Sequence, residues 1–176
     1  MTRTMSLLLL SLTIAACGKS PAPESAAASP ANTPATAPAA GSGDVCALID
    51  DPGTLFGQAV TASPETMPNG TKSCEWKSAE GRMCGLVTPM GSGWYEVPNL
   101  PANYAAMKQS MSAFGKTFPV AGIGEEAEAV DGGILGAQMA IRTSTAIANI
   151  AAACGGSGAG NLEHAEKIAR AIAARL

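Results

Sequence analysis

The stretch ILGAQMAIR-TS-TAIANIAAAC, residues 134–154, decides the fold of this chain. Two apolar runs, residues 134–142 and 145–154, flank a short polar turn, and this pattern predicts a long antiparallel hairpin. The second run consists almost wholly of Ala and Ile, so we expect its strand to be buried on both faces. The sheet that contains it must then be covered on both sides.

Helical patterns lie on either side of this hairpin. Residues 161–176 carry one apolar stripe at helical spacing, with Asn161 as the expected N-cap. Residues 101–114 predict a second helix, in which large side chains recur at the same spacing: Tyr104, Met107, Met111 and Phe114. This periodicity favours core positions for both methionines over a copper site. Asp44 and Asp51 are expected to cap two short helical turns at the start of the domain.

Further strands precede the long hairpin. Residues 71–77 alternate, with Cys74 and Trp76 on one face, and residues 82–88 follow after a turn, which predicts a second hairpin. The acidic residues 125–131 are interpreted as a short strand. This order predicts an α+β fold, in which an antiparallel sheet packs with N-terminal, middle and C-terminal helices.

The beginning of the chain predicts export and membrane anchoring. Arg3, an apolar run at residues 7–10 and small residues before Cys17 are typical of a signal peptide over residues 1–16, and they resemble bacterial lipoprotein signals. The apolar run is far shorter than the roughly 20 residues that span a bilayer. The resemblance implies that Cys17 becomes the first mature residue and carries diacylglycerol and an acyl chain such as palmitate. A plain signal peptide that is cut nearby is the alternative.

Residues 17–43 are expected to form a tether. After Cys17 they consist almost wholly of Ala, Pro, Ser, Thr and Gly, so they cannot bury enough apolar surface to fold. Their prolines favour an extended chain with an upper reach on the order of 80 Å; a proline-rich partner motif is the alternative. Residues 44–176 then form a single domain. Gly18, the residue after Cys17, resembles Gram-negative sorting signals that direct lipoproteins to the outer membrane. In that case the domain would lie in the periplasm.

Four cysteines lie in the expected domain: Cys46, Cys74, Cys84 and Cys154. An even number in an exported chain predicts two disulfides, for which three connectivities are open. The alternative is a zinc site completed by His164, the only histidine. The cysteines lack the short Cys-x2-Cys spacing of zinc ribbons, and an oxidising compartment consumes thiols. We therefore expect no metal and no other cofactor.

Three motifs resemble one family. Residues 45–49 (VCALI), 74–76 (CEW) and 120–127 (VAGIGEEA), followed by a hairpin and an amphipathic helix, are similar to small lipoprotein and secreted domains of unknown function from actinobacterial envelopes. Those domains are themselves similar in pattern to extracellular sensor domains of some receptor kinases. The resemblance implies a compact α+β fold in which Cys46 pairs with Cys74 and Trp76 packs beside the bridge.

The remaining two cysteines, Cys84 and Cys154, lie outside this family pattern, so their pairing follows only from parity. The family supplies no catalytic residues. Ser157 lies in a glycine run, residues 155–160, that lacks both the Gly-x-Ser-x-Gly frame of a nucleophile elbow and the Lys of a phosphate loop. We interpret this run as a flexible linker. His164 falls on the polar flank of the last helix and does not suit a triad.

Charge limits the classes of partner. The chain has 11 basic and 14 acidic residues, and nucleic acid and anionic lipid both require a basic patch, so neither is expected to bind. The acidic residues of the expected strand fit no Ca²⁺ loop and are interpreted as a solvated edge: Glu125, Glu126, Glu128 and Asp131. The expected partners are the membrane, through Cys17, and an unknown envelope protein or small ligand.

The sequence therefore predicts a lipid-anchored module that binds or senses something in the cell envelope and is not an enzyme. A periplasmic inhibitor or immunity protein against a secreted enzyme is the alternative; an acidic protruding loop would favour it, and a deep apolar cavity would favour a ligand carrier. Trp94 and Tyr95, in a Gly-rich loop, are the candidate partner contacts, since large aromatics anchor interfaces. The other interpretation is that this loop folds back and Trp94 covers the core.

Overall fold

The computed structural model describes residues 43–176. The predictions for the signal peptide, for lipidation at Cys17 and for the tether lie outside these residues, apart from Gly43 at the tether's end. Within the described part of the chain, no helix combines the length and the apolar character that crossing a bilayer requires.

Seven strands form one antiparallel sheet: β1 (Val60–Thr66), β2 (Lys72–Ser78), β3 (Met83–Gly91), β4 (Thr117–Pro119), β5 (Glu126–Asp131), β6 (Ala137–Arg142) and β7 (Ala146–Ala152). Their order across the sheet is β1-β2-β3-β7-β6-β5-β4, and each neighbouring pair is antiparallel. The two predicted hairpins are β2–β3 and β6–β7. The predicted α+β class is confirmed.

Helices cover both faces of this sheet. They are α1 (Pro52–Phe56), α2 (Leu100–Met111) and α3 (Gly158–Ala173), and a 3-10 turn, Val45–Leu48, precedes them. The side chains of α3 share a large core cluster with the 3-10 turn and with one face of the sheet. The side chains of α2 share a smaller cluster with the opposite face. We call these two sides the α3 face and the α2 face.

Strand β7 shows how both faces are covered. Ala148 and Ile150 lie in the cluster of the α3 face, whereas Ile147, one position along, lies in the cluster of the α2 face. Successive side chains of a strand point to opposite sides, so this alternation requires a packing layer on each side. Burial on the α2 face is complete at Ile147 and partial at Asn149 and Ala151.

Two disulfides cross-link the domain, and both predicted pairs are confirmed. Cys46 bonds to Cys74 with the Cα atoms 5.1 Å apart, and Cys84 bonds to Cys154 with the Cα atoms 4.5 Å apart. Trp76 is fully buried in the same cluster as Cys74 and Cys84. Both bridges therefore lie at the core of the α3 face.

The start of α3 differs from the prediction. The N-cap is Ser157, whose hydroxyl accepts a hydrogen bond from the Gly160 amide at 3.3 Å. Asn161 is buried inside the helix, and its side-chain oxygen accepts a bond from the Gly155 amide at 2.7 Å. A Cβ on Gly155 would lie 2.2 Å from the carbonyl carbon of Gly160. The glycine run is thus a closely packed helix entry, so its interpretation as a flexible linker is wrong.

Other boundaries were also missed. Strand β1 had no sequence signal, because most of its side chains are exposed and do not alternate. Helix α2 ends at Met111, so Phe114 lies beyond it and is exposed rather than buried. Ile134 does not begin β6: it sits in a 3-10 turn, Gly133–Leu135, and is also exposed.

Candidate functional site

A groove of about 400 Å³ opens between α2 and the β4–β5 hairpin. We call it the α2 groove. It is lined by Tyr104, Lys108, Pro119, Val120, Ala121, Glu125, Glu126, Ala127 and Glu128. Apolar side chains and charged side chains thus share one concave surface, as they do in sites for polar small molecules or peptide segments.

The helix side of the groove follows from local sequence. Asn99 caps α2, because its side-chain oxygen accepts a bond from the Ala102 amide at 3.2 Å. Tyr104 and Lys108 are four residues apart and therefore lie on the same side of the helix. The Lys108 ammonium lies 5.2 Å from the centroid of the Tyr104 ring, within the range of a cation–π contact.

The strand side of the groove follows from the alternation of β5. Ala127 and Ala129 pack in the cluster of the α3 face, so Glu126 and Glu128 point toward the α2 face. Glu126 is directly opposite Arg142 on the neighbouring strand β6. The pleat therefore places carboxylates beside the basic side chains of α2 and β6.

Ion pairs organise these charges. Glu128 lies 3.6 Å from the Lys108 ammonium, and Arg142 holds Glu125 at 2.6 Å and Glu126 at 3.1 Å. Three carboxylates thus face two cations, which leaves a small negative excess. These residues are partly exposed, as expected of a solvated edge, and each carboxylate has a basic partner.

Tyr104 forms the buried end of the groove. Its hydroxyl donates to the Ala140 carbonyl at 3.5 Å. Burial raises the pKa of Tyr104 well above its ordinary value, and the negative charges of Glu126 and Glu128 raise it further. The phenol therefore stays protonated at neutral pH, so it serves as a hydrogen-bond donor and not as a base or nucleophile.

Ser157 and His164 each have a structural environment. Ser157 caps α3, and its hydroxyl accepts the Gly160 amide. The His164 ring meets Phe56 edge-on, with the centroids 5.8 Å apart. Burial lowers the pKa of His164, so its ring is neutral at pH 7. His164 thus packs against the core residue Phe56, so the prediction that it lies on the polar flank of the last helix is wrong.

The predicted contact residues Trp94 and Tyr95 lie outside this groove. Trp94 is only 9% exposed and belongs to the core cluster of the α3 face. Its ring atoms lie 2.8 Å from the position that a Cβ on Gly43 would take. This burial favours the alternative in which Trp94 covers the core. Tyr95 is half-buried, and its carbonyl accepts the Gly91 amide at 2.8 Å.

The sequence did not reveal the α2 groove, because its two sides were interpreted separately. Residues 125–131 were expected to form a solvated edge and residues 101–114 a core helix. No spacing in the sequence indicated that Lys108 and Glu128 would meet. An acidic strand together with a helix that carries a single Lys was the only available signal, and it is a weak one.

Metal binding and known relatives offer no further guide to function. Among residues 43–176, no cluster of three or more His, Cys, Asp or Glu side chains is arranged to hold a metal ion. Comparison with protein-family models, with characterised proteins and with solved structures finds no significant match to this chain.

Proposed function

We propose that this protein is a lipid-anchored module of the cell envelope that binds a ligand or protein partner and performs no chemistry. The observation that carries the proposal is the pair of disulfides, Cys46–Cys74 and Cys84–Cys154, in a domain that follows a lipoprotein-type signal. Disulfides form and persist in oxidising compartments such as the periplasm and the cell surface. Export and anchoring account for both features together.

The α2 groove is the proposed binding site. Its volume of about 400 Å³ lies toward the lower end of the range for small-molecule sites. Its lining carboxylates and Lys108, with Arg142 paired to two of those carboxylates, suit a polar ligand or a short peptide segment that carries charges of its own. The charged groups of such a ligand would pair with Lys108 and Glu128 in place of the ion pair that these two residues form with each other. That ion pair is only partly buried, so little free energy is needed to break it.

The side chains with catalytic potential have other roles, which supports a binding function. The raised pKa of Tyr104 keeps its phenol protonated. Ser157 caps a helix, and His164 packs against Phe56. The inhibitor alternative would be favoured by an acidic protruding loop. Among the described residues, the turn Gly133–Leu135 exposes two large aliphatic side chains and no acidic one.

The anchor is tested by Cys17→Ala in the full-length chain. We expect the wild type to incorporate labelled palmitate and to stay with membranes after a high-salt wash. The variant should lose both properties, because it lacks the thiol that accepts the lipid. Gly18→Ala is the matched control and should stay attached. A Cys17→Ala protein that still fractionates wholly with membranes would contradict the anchor.

The groove is tested by capture of partners from envelope extract. Lys108→Ala removes the cation that lines the groove, so we expect any stoichiometric partner of the wild type to be lost or much reduced. Lys167→Ala is the matched control, because Lys167 also pairs with a glutamate, Glu163, at 2.7 Å, but on α3. Equal capture by both variants would remove the groove from the proposal and leave the anchor in place.

A further inference from the structure

The turn between β5 and β6 exposes two large aliphatic side chains. Ile134 is 103% exposed and Leu135 is 68% exposed. The turn consists of residues 132–136, Gly-Gly-Ile-Leu-Gly, and contains no charged side chain. We call it the apolar turn. Side chains of this size gain nothing from such exposure in water, so a contact that covers them is expected.

The backbone of the apolar turn is largely satisfied from within. The Gly132 amide donates to the Gly136 carbonyl at 2.8 Å, and the Gly136 amide donates to the Gly133 carbonyl at 3.2 Å. The Leu135 amide donates to the Gly132 carbonyl at 3.1 Å. The Gly133 amide donates to the Asp131 carboxylate at 2.8 Å. Four of the five amides therefore have partners already.

This closed hydrogen bonding depends on two glycines. Gly133 has a φ of 62° and Gly136 a φ of 90°, a region that residues with a Cβ rarely adopt. A Cβ on Gly136 would also lie 2.5 Å from the Ala152 carbonyl oxygen. The glycines thus fold the backbone back on itself and leave Ile134 and Leu135 at the outside of the turn.

The surroundings of the turn share its character. Phe114, beyond the end of α2, is 44% exposed. The following residue, Gly115, lies against Asp131: a Cβ there would be 3.2 Å from the Asp131 carbonyl oxygen. Phe114 and the exposed Lys116 are therefore at the same end of the sheet as the apolar turn. Phenylalanine and leucine side chains beside lysine stems are typical of surfaces that lie in a lipid interface.

We propose that the apolar turn inserts into the interface of the bilayer to which the chain is anchored, an inference that rests on the proposed lipid anchor. A bilayer is favoured over a protein groove as the occupant because residues 132–136 carry no charged side chain and only one of their amides, that of Ile134, lacks a partner within the turn or on Asp131. In an apolar medium every unpaired amide is costly, whereas a protein surface can supply hydrogen-bond partners.

Residues 17–43, the predicted tether, are numerous enough for this arrangement. Gly43 lies beside Trp94. Trp94 is three residues after Gly91, the last residue of β3, and Gly91 pairs with the first residue of β7, Ala146. The apolar turn precedes Ala137, which pairs with the last residue of that strand. The two places are therefore separated by the length of β7, about 20 Å. An upper reach on the order of 80 Å covers that distance.

The test places a fluorescent reporter in the turn of the mature, lipidated full-length chain. Ile134→Trp is incorporated into phosphatidylcholine vesicles whose acyl chains carry bromine, which quenches tryptophan on contact. Trp76 and Trp94 are buried in the protein, so the wild-type signal can be subtracted. We expect a blue shift and a strong loss of emission at position 134.

The matched control is Met67→Trp. Met67 is 42% exposed and directly follows β1. The last residue of β1, Thr66, pairs with Lys72 at the end of the sheet opposite the apolar turn. Its emission should be unchanged by bromine. A second variant adds Leu135→Asp to Ile134→Trp, and we expect this charge to abolish the quenching while the protein remains on the vesicles.

Flotation of the vesicles separates the two possible failures. Protein that does not float contradicts the lipid anchor and, with it, the membrane contact. Protein that floats but shows no quenching at position 134, or equal quenching at position 67, overturns the membrane contact alone and assigns the apolar turn to a protein partner. Selective quenching at position 134 supports the proposal.

Discussion

The two faces of the sheet differ in how they are held together. On the α3 face, 23 buried residues form one cluster, and both disulfides lie within it or against it. On the α2 face the buried cluster has five residues and no cross-link. The α2 face also carries the groove, with its partly exposed ion pairs. The domain thus concentrates stability on one face and leaves the other free to bind and to adjust.

The largest effect is expected from the bridges of the α3 face. Cys84→Ala with Cys154→Ala removes a cross-link between residues 70 positions apart and should lower the free energy of unfolding by about 4 kcal/mol. Urea unfolding monitored by circular dichroism measures this loss. The matched variant, Cys46→Ala with Cys74→Ala, should lose slightly less, because its loop spans 28 positions. A loss below 1 kcal/mol in both variants would show that the cluster does not depend on its bridges.

Trp94 provides the next test, because its burial assigns it to the α3 face rather than to an interface. Trp94→Ala should cost about 3 kcal/mol of unfolding free energy, as expected when a buried aromatic is truncated. Tyr95→Ala, at the half-buried neighbour, should cost less. If Trp94→Ala melts like the wild type and loses partner capture, the contact role holds and the core role fails.

A direct comparison of the two faces comes from one deletion on each. Ile168→Ala on α3 and Met111→Ala on α2 both truncate fully buried side chains. We expect Ile168→Ala to cost more, by about 1 to 2 kcal/mol, because its surroundings are cross-linked and collapse less around a cavity. Chemical denaturation of the two variants measures the difference. Equal losses would mean that the α2 face is as rigid as the α3 face.

The smallest effect concerns pH. Burial lowers the pKa of His164 in the folded state below its ordinary value of 6.5. The unfolded chain therefore binds this proton more readily. The contribution of neutral His164 to the free energy of unfolding should be fully present well above about pH 6.5, the pKa of an unfolded histidine. It should be lost as the pH falls from there through the lower pKa of the folded state. His164→Gln should remove this part of the pH dependence; an unchanged profile would assign the decline to other groups.

Much of the fold followed from periodicity. The helix α3 and the strand β7 could be predicted from the apolar stripe of one and the Ala/Ile run of the other, because both elements pack against a core along most of their length. Strand β1 could not be predicted, because it is an edge strand that pairs on one side only and most of its side chains are exposed. The true cap of α3 was missed because Asn161 is a good cap by residue type, and only the close approach of Gly155 and Gly160 shows that the helix starts earlier.

The sequence by itself determined the α+β class, the even set of cysteines and the prediction of an anchored domain, because composition and periodicity depend on local chemistry. Only the tertiary structure decided the rest. It brought Lys108 to Glu128 across the α2 groove and placed Trp94 in the core. It also exposed the side chain of Ile134 fully to solvent. Each of these outcomes depends on which segments distant in sequence come together, and no local pattern encodes that.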